Sequence, residues 1–191
     1  MKRLLLYTFF ICLPLLINGQ ISQQSQKTYG NITPSIQYKY FRNLAFKIKP
    51  SDLDLSFTAN QKKVYGVIID WNTANNLSTI VTYSTGTSNV LLSSGMLFIK
   101  ECDNELITEH SNTIIKIAQY LLDHSKIKIH NEISYNYAEP NLVNVYFLTN
   151  NGCYMHQERY QKILKRKNEW SELFSLGNLI LSEYRSQVEK K

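Results

Sequence analysis

Few residues in this chain are of a type and placing that could do chemistry. In VYGVIIDW, residues 64–71, the carboxylate of Asp70 ends an otherwise apolar run and is followed by an indole. A carboxylate partly desolvated in this way gains a raised pKa and suits a general base. The competing expectation is that Asp70 opens the polar turn at 72–76, where Asp is favoured for its local backbone hydrogen bonds. Glu109 and His110 stand just ahead of a helical pattern that starts at Ser111. Beside Asp70 or Cys102 they would form an acid–base pair near a helix N-terminus, whose free amides also stabilise anions. The plainer expectation is a solvated Glu109 complementing the helix dipole, with His110 just outside the helix.

The remaining nucleophiles and ligands show less pattern. His110, His124, His130 and His156 form no HxH or HExxH spacing. Cys153 and His156 make a C-x-x-H, but residues three apart on a strand point to opposite faces, so no metal site is expected. Ser94-Gly95 lacks the second flank of a nucleophile elbow, and no glycine loop could cradle a phosphate, so no cofactor is expected. Three cysteines are present, and Cys12 falls in the apolar N-terminal run. Cys102 and Cys153 are left either to bridge or to stay as two buried free thiols. A bridge would close a loop of about 50 residues and contribute ~4 kcal/mol in the chain-entropy model.

The one concentration of charge is RYQKILKRK, residues 159–167, where Arg159, Lys162, Lys165, Arg166 and Lys167 alternate with Tyr160, Ile163 and Leu164. Such a run suits an anionic envelope component or an acidic partner protein, or else serves as a solvated connection.

The N-terminus supplies an address. Lys2 and Arg3 precede an apolar run over 4–17, broken only by Thr8 and Pro14, and Asn18-Gly19-Gln20 offers a small residue for cleavage. That is the order of a secretory signal, and the run is shorter than the ~20 residues of a spanning helix. Residues 1–19 are therefore expected to be a signal peptide cleaved near Gly19, with an exported, periplasmic or secreted product. No cysteine sits at the junction to take a lipid, and no later segment reaches spanning length. The formal charge is +6, and losing Lys2 and Arg3 leaves +4. Export and so small a surplus argue against nucleic acid as a partner.

The body that must position these residues has enough apolar material for one core, at 43% hydrophobic and 12% aromatic in 191 residues. The abundance of Asn, Ile, Lys, Tyr and Ser matches the usage of an AT-rich bacterial genome. Residues 20–34 read as a flexible polar leader and 35–191 as a single domain. Apolar spacing predicts helices over 36–48, 111–125 and 169–187. Strands are predicted over 64–71, 78–84, 89–93, 96–100, 132–137, 143–149 and 153–157. The first is apolar on both alternating sets and should be covered on both faces. Asn150-Asn151-Gly152 predicts a tight hairpin. The expected fold class is α+β: an antiparallel sheet of about five or six strands, a meander plus a hairpin, with three helices packed on it.

Two segments carry a resemblance. VYGVIIDWNTANNLSTIVTYSTGTSNVLLSSG, residues 64–95, resembles the opening meander of a family of small uncharacterised bacterial α+β proteins. WSELFSLGNLILSEYR, residues 170–185, resembles the closing helix of that family. The order of elements is also similar to roadblock-like and profilin-like domains. The resemblance implies the fold and no activity. Two functions therefore stay in view. The preferred one is a non-enzymatic exported domain that binds a partner through a sheet edge, an aromatic surface (the chain has 13 tyrosines) or the basic run. The other is a small hydrolase using Asp70, Glu109 and His110.

Overall fold

A computed structural model describes residues 32–58, 61–73, 76–99, 104–125, 127–129 and 136–189. The element order is α1 (Ile36–Ala45), a 3-10 turn (Pro50–Leu53), β1 (Val64–Thr73), β2 (Asn76–Tyr83), β3 (Ser88–Leu92), β4 (Leu97–Ile99), α2 (Glu105–His124), β5 (Lys128–Ile129), β6 (Leu142–Thr149), β7 (Gly152–Arg159), α3 (Tyr160–Lys165) and α4 (Glu169–Glu189). The strands form one sheet in the order β4-β3-β2-β1-β6-β7-β5, and every neighbouring pair is antiparallel. This is the expected α+β class. The meander β1–β4 lies on one side of β1 and the β6–β7 hairpin on the other.

β1 sits at the centre because both of its faces are apolar. Val67, Ile69 and Trp71 face a core closed by α2, α3 and α4, with Ile114, Ala118, Ile163, Leu173 and Ile180 among its buried members. Tyr65 and Ile68 face a second core under α1, with Tyr38, Ala45 and Phe46. The described helices therefore divide three to one between the faces. On the three-helix side, a Cβ at Gly177 of α4 would meet Ile80 Cδ1 at 3.1 Å and Ile69 Cδ1 at 3.2 Å, so glycine lets that helix lie close to the sheet.

Several local expectations are corrected. The second helix begins at Glu105, where the Asn104 side chain accepts from the amides of Leu106 and Ile107. Ser111 lies inside that helix, fully buried, and its hydroxyl donates to the Ile107 carbonyl. Of the strand expected over 132–137, residues 132–135 lie outside the described residues, Asn136 and Tyr137 are not in a strand, and a short strand precedes them at Lys128–Ile129. The hairpin forms as expected, with Thr149 opposite Gly152, although the positive φ falls on Gly152 and on neither asparagine. The end of the polar leader is packed: Pro34 is buried and Ile32 rests against the second core.

Candidate functional site

Asp70 does not end its strand. β1 runs three residues further, and Asp70 lies opposite Thr79 of β2 and Asn144 of β6. Asn144 in turn lies opposite Gln157 of β7, whose amide donates to Asn144 Oδ1 at 2.8 Å. A polar row thus crosses four strands on the α1 face, and its Asp70, Thr79 and Asn144 members are buried.

A buried carboxylate demands a partner. α1 supplies it: Arg42, also fully buried, donates from Nε to both Asp70 oxygens, at 3.1 and 2.9 Å, and from Nη2 to Oδ2. The hydroxyl of Thr79 donates to Oδ1 at 2.6 Å and lies 2.6 Å from that of Tyr38. The guanidinium is surrounded by the rings of Tyr137, Phe46 and Tyr146 at 4.8, 5.0 and 5.9 Å, and Nη2 also donates to the Asn136 carbonyl. Such a cage favours a delocalised cation. Burial alone would lower the Arg42 pKa, but the charge and hydrogen bonds of Asp70 outweigh it and raise it. Burial, and then the Asp70 charge, push the Tyr38 and Tyr146 phenols up. The arrangement is a closed ion pair that fastens α1 to the sheet, with both Asp70 oxygens occupied.

Glu109 and His110 are on α2, which packs on the other face of the sheet. Because that helix starts at Glu105, both belong to its second turn and neither stands ahead of an N-terminus; Glu109 is exposed. The sheet separates them from Asp70, so the three side chains do not meet in one pocket. No family model, no curated protein and no solved structure matches the chain.

Cys102 lies outside the described residues. Cys153 carries a free thiol packed in the α1-side core, where burial pushes it up to about 12, far from a reactive thiolate. His156 points to the opposite face, so Cys153 and His156 are split across the sheet as strand geometry predicts. Among the described residues no three His, Cys, Asp or Glu side chains gather as metal ligands would.

The basic run folds into the end of β7, α3 and the link to α4, and all five of its cations are exposed. Ile163 anchors the segment in the core, while Leu164 is 53% exposed among the lysines. Glu158 gathers the charges: Lys162 Nζ lies 2.8 Å and Arg166 Nη1 3.0 Å from its Oε2. Burial works against its ionisation, but the hydrogen bond from Lys162 and the nearby cations hold the Glu158 carboxyl below the usual range. On the same face of β7, His156 stacks on Trp170 of α4 with ring centroids 3.9 Å apart, and Trp170 lies parallel to Phe147 at 5.9 Å.

The chief residue that sequence reasoning missed is Arg42. Its signal was present, since Tyr38, Arg42 and Ala45 follow helical spacing and the chain predicted that helix. Tyr40 of the same helix is 42% exposed, so its aromatic character gave no guide to the inward stripe.

Proposed function

We propose that the protein is an exported, non-enzymatic binding domain that meets a phosphate-bearing envelope surface through residues 159–167. The observation that carries this is the basic segment itself: five exposed cations within residues 159–167, two of them gathered on the Glu158 carboxylate, with an exposed leucine between Lys162 and Lys165. Positive charge beside a protruding apolar side chain suits a headgroup layer, where the cation meets phosphate and the leucine meets the acyl boundary. Export rests on the N-terminal signal pattern. The hydrolase alternative has lost its support, because Asp70 is spent on Arg42 and is separated by the sheet from Glu109 and His110. The tyrosines give the aromatic-surface version little, since Tyr38, Tyr65, Tyr83, Tyr137, Tyr146, Tyr154 and Tyr184 are buried.

The test is co-sedimentation of the mature chain with phosphatidylglycerol vesicles and with neutral phosphatidylcholine vesicles. Each juxtamembrane cation is worth ~1 kcal/mol on an anionic surface, so Lys165→Ser with Lys167→Ser should weaken partition about thirtyfold. Equal binding to neutral vesicles, or no loss in the double variant, defeats the proposal. Binding to an acidic protein alone, with no vesicle binding, would replace the envelope partner with a protein one.

A further inference from the structure

His156 holds an unusual position for a titratable group. Its Nε2 is buried and has no hydrogen-bond partner among the described residues. A neutral imidazole tolerates this when Nε2 is the unprotonated nitrogen. An imidazolium does not, because both nitrogens then carry N–H, and a buried donor without an acceptor costs about 1–3 kcal/mol.

Its surroundings offer one way out. Val145, its partner on β6, and Trp170 on α4 provide no acceptor carboxylate. The charged groups acting on the ring are Glu158 two residues along β7, Lys162 of α3 and Arg166 just beyond it. Residues two apart on a strand share a face, so the Glu158 carboxylate is within reach of a reoriented imidazolium. That carboxylate is the one that Lys162 and Arg166 share.

The geometry points to a proton-operated latch: protonation of His156 turns its imidazole from the Trp170 stack toward Glu158 and frees Lys162 and Arg166 for a phosphate-bearing surface. The proton comes from solvent, and no bond other than N–H forms or breaks. Burial, reinforced by the two cations and opposed by Glu158, lowers the His156 pKa below the ordinary 6.5, so the latch stays shut at neutral pH and opens on acidification. The consequence for binding rests on the envelope-surface proposal above; the latch itself does not.

Two measurements separate them. In Trp71→Phe, which leaves Trp170 as the only indole of the mature chain, emission should shift to longer wavelength on acidification, as the departing ring uncovers the indole to water, with a midpoint below 6.5. His156→Phe keeps an aromatic ring on Trp170 and should abolish the transition. If Trp71→Phe folds poorly, the imidazole proton resonances of the wild-type chain, with His156 assigned by its loss in His156→Phe, give the same midpoint and the same ring movement. On phosphatidylglycerol vesicles the extra cation should tighten wild-type partition about fivefold between a pH above that midpoint and one below it, beyond any change in His156→Phe. A flat titration, or one that His156→Phe retains, overturns the latch. A clean transition with equal vesicle binding at both pH values overturns the release of Lys162 and Arg166. A clean transition with no vesicle binding at any pH supports the ring movement and defeats the envelope-surface proposal instead.

Discussion

At the scale of single residues the deciding pair is Arg42 and Asp70. An ion pair out of water gains from its attraction but loses two hydration shells, so its net worth is small while the cost of halving it is large. Arg42→Met should therefore cost about 3–5 kcal/mol in urea unfolding, because Asp70 is left buried with only the Thr79 hydroxyl. Arg42→Met combined with Asp70→Leu should recover most of that loss. A double variant as unstable as the single one would mean that the pair itself, and not the orphaned charge, supplies the stability. Asp70 was legible in the sequence as an odd carboxylate in an apolar strand. Its partner was not singled out, because an arginine in an amphipathic helix is ordinarily a solvated residue, and only the sheet above reveals which stripe faces inward.

At the scale of elements, α2 shows how a cap is misread. Ser111 followed by an apolar run has the look of a helix start, yet Ile107, Ser111, Ile114 and Ala118 all lie on the buried stripe. Ser111 faces inward because Ser88 of β3 meets it, the two hydroxyl oxygens lying 2.6 Å apart, and Ser88 Oγ continues to Thr82 Oγ1 at 2.8 Å. A buried polar contact across helix and sheet cannot be told from a cap by spacing alone, since both place a small hydroxyl residue at the edge of an apolar pattern. The true cap is Asn104, and Asn104→Ala should cost about 1 kcal/mol, with loss of amide protection confined to the first turn of α2. The β2–β3 turn bears on the same helix end. Gly86 has φ +81°, and a Cβ there would lie 2.7 Å from Thr108 Cγ2. Gly86→Ala should therefore destabilise by more than the ~1 kcal/mol of left-handed strain alone, and Thr108→Ser should relieve the excess in the double variant. No relief would mean that the turn, and not its contact with α2, is what the substitution disturbs.

At the scale of the whole molecule, the two-sided sheet was the most legible feature, since a strand apolar on both alternating sets has nowhere to go but the middle. The sequence left unassigned which helix would take the lone face, because each of the predicted helices has one apolar stripe and every stripe fits either side. The lone face went to α1 and its tyrosine-rich floor, and that choice has a consequence at high pH. Tyr65 donates to the Ile48 carbonyl at 2.9 Å and Tyr83 to the Ala45 carbonyl at 3.2 Å, both holding the C-terminal end of α1 to the sheet. Burial raises Tyr65 to about 12, pushes Tyr83 and Tyr146 higher still, and holds Tyr38 well above the same ordinary 10.0. A phenol whose folded pKa is raised binds its proton more tightly when folded. Its contribution is complete below pH 10 and is lost as the pH climbs through the folded value. Alkaline titration followed by phenolate absorbance should therefore show this buried set ionising in one cooperative step, coincident with loss of far-ultraviolet circular dichroism. If those four phenols ionised smoothly near pH 10 with the fold intact, α1 would have to lift from the sheet without unfolding it. The Arg42–Asp70 pair would then be a hinge clasp and not a permanent fastening.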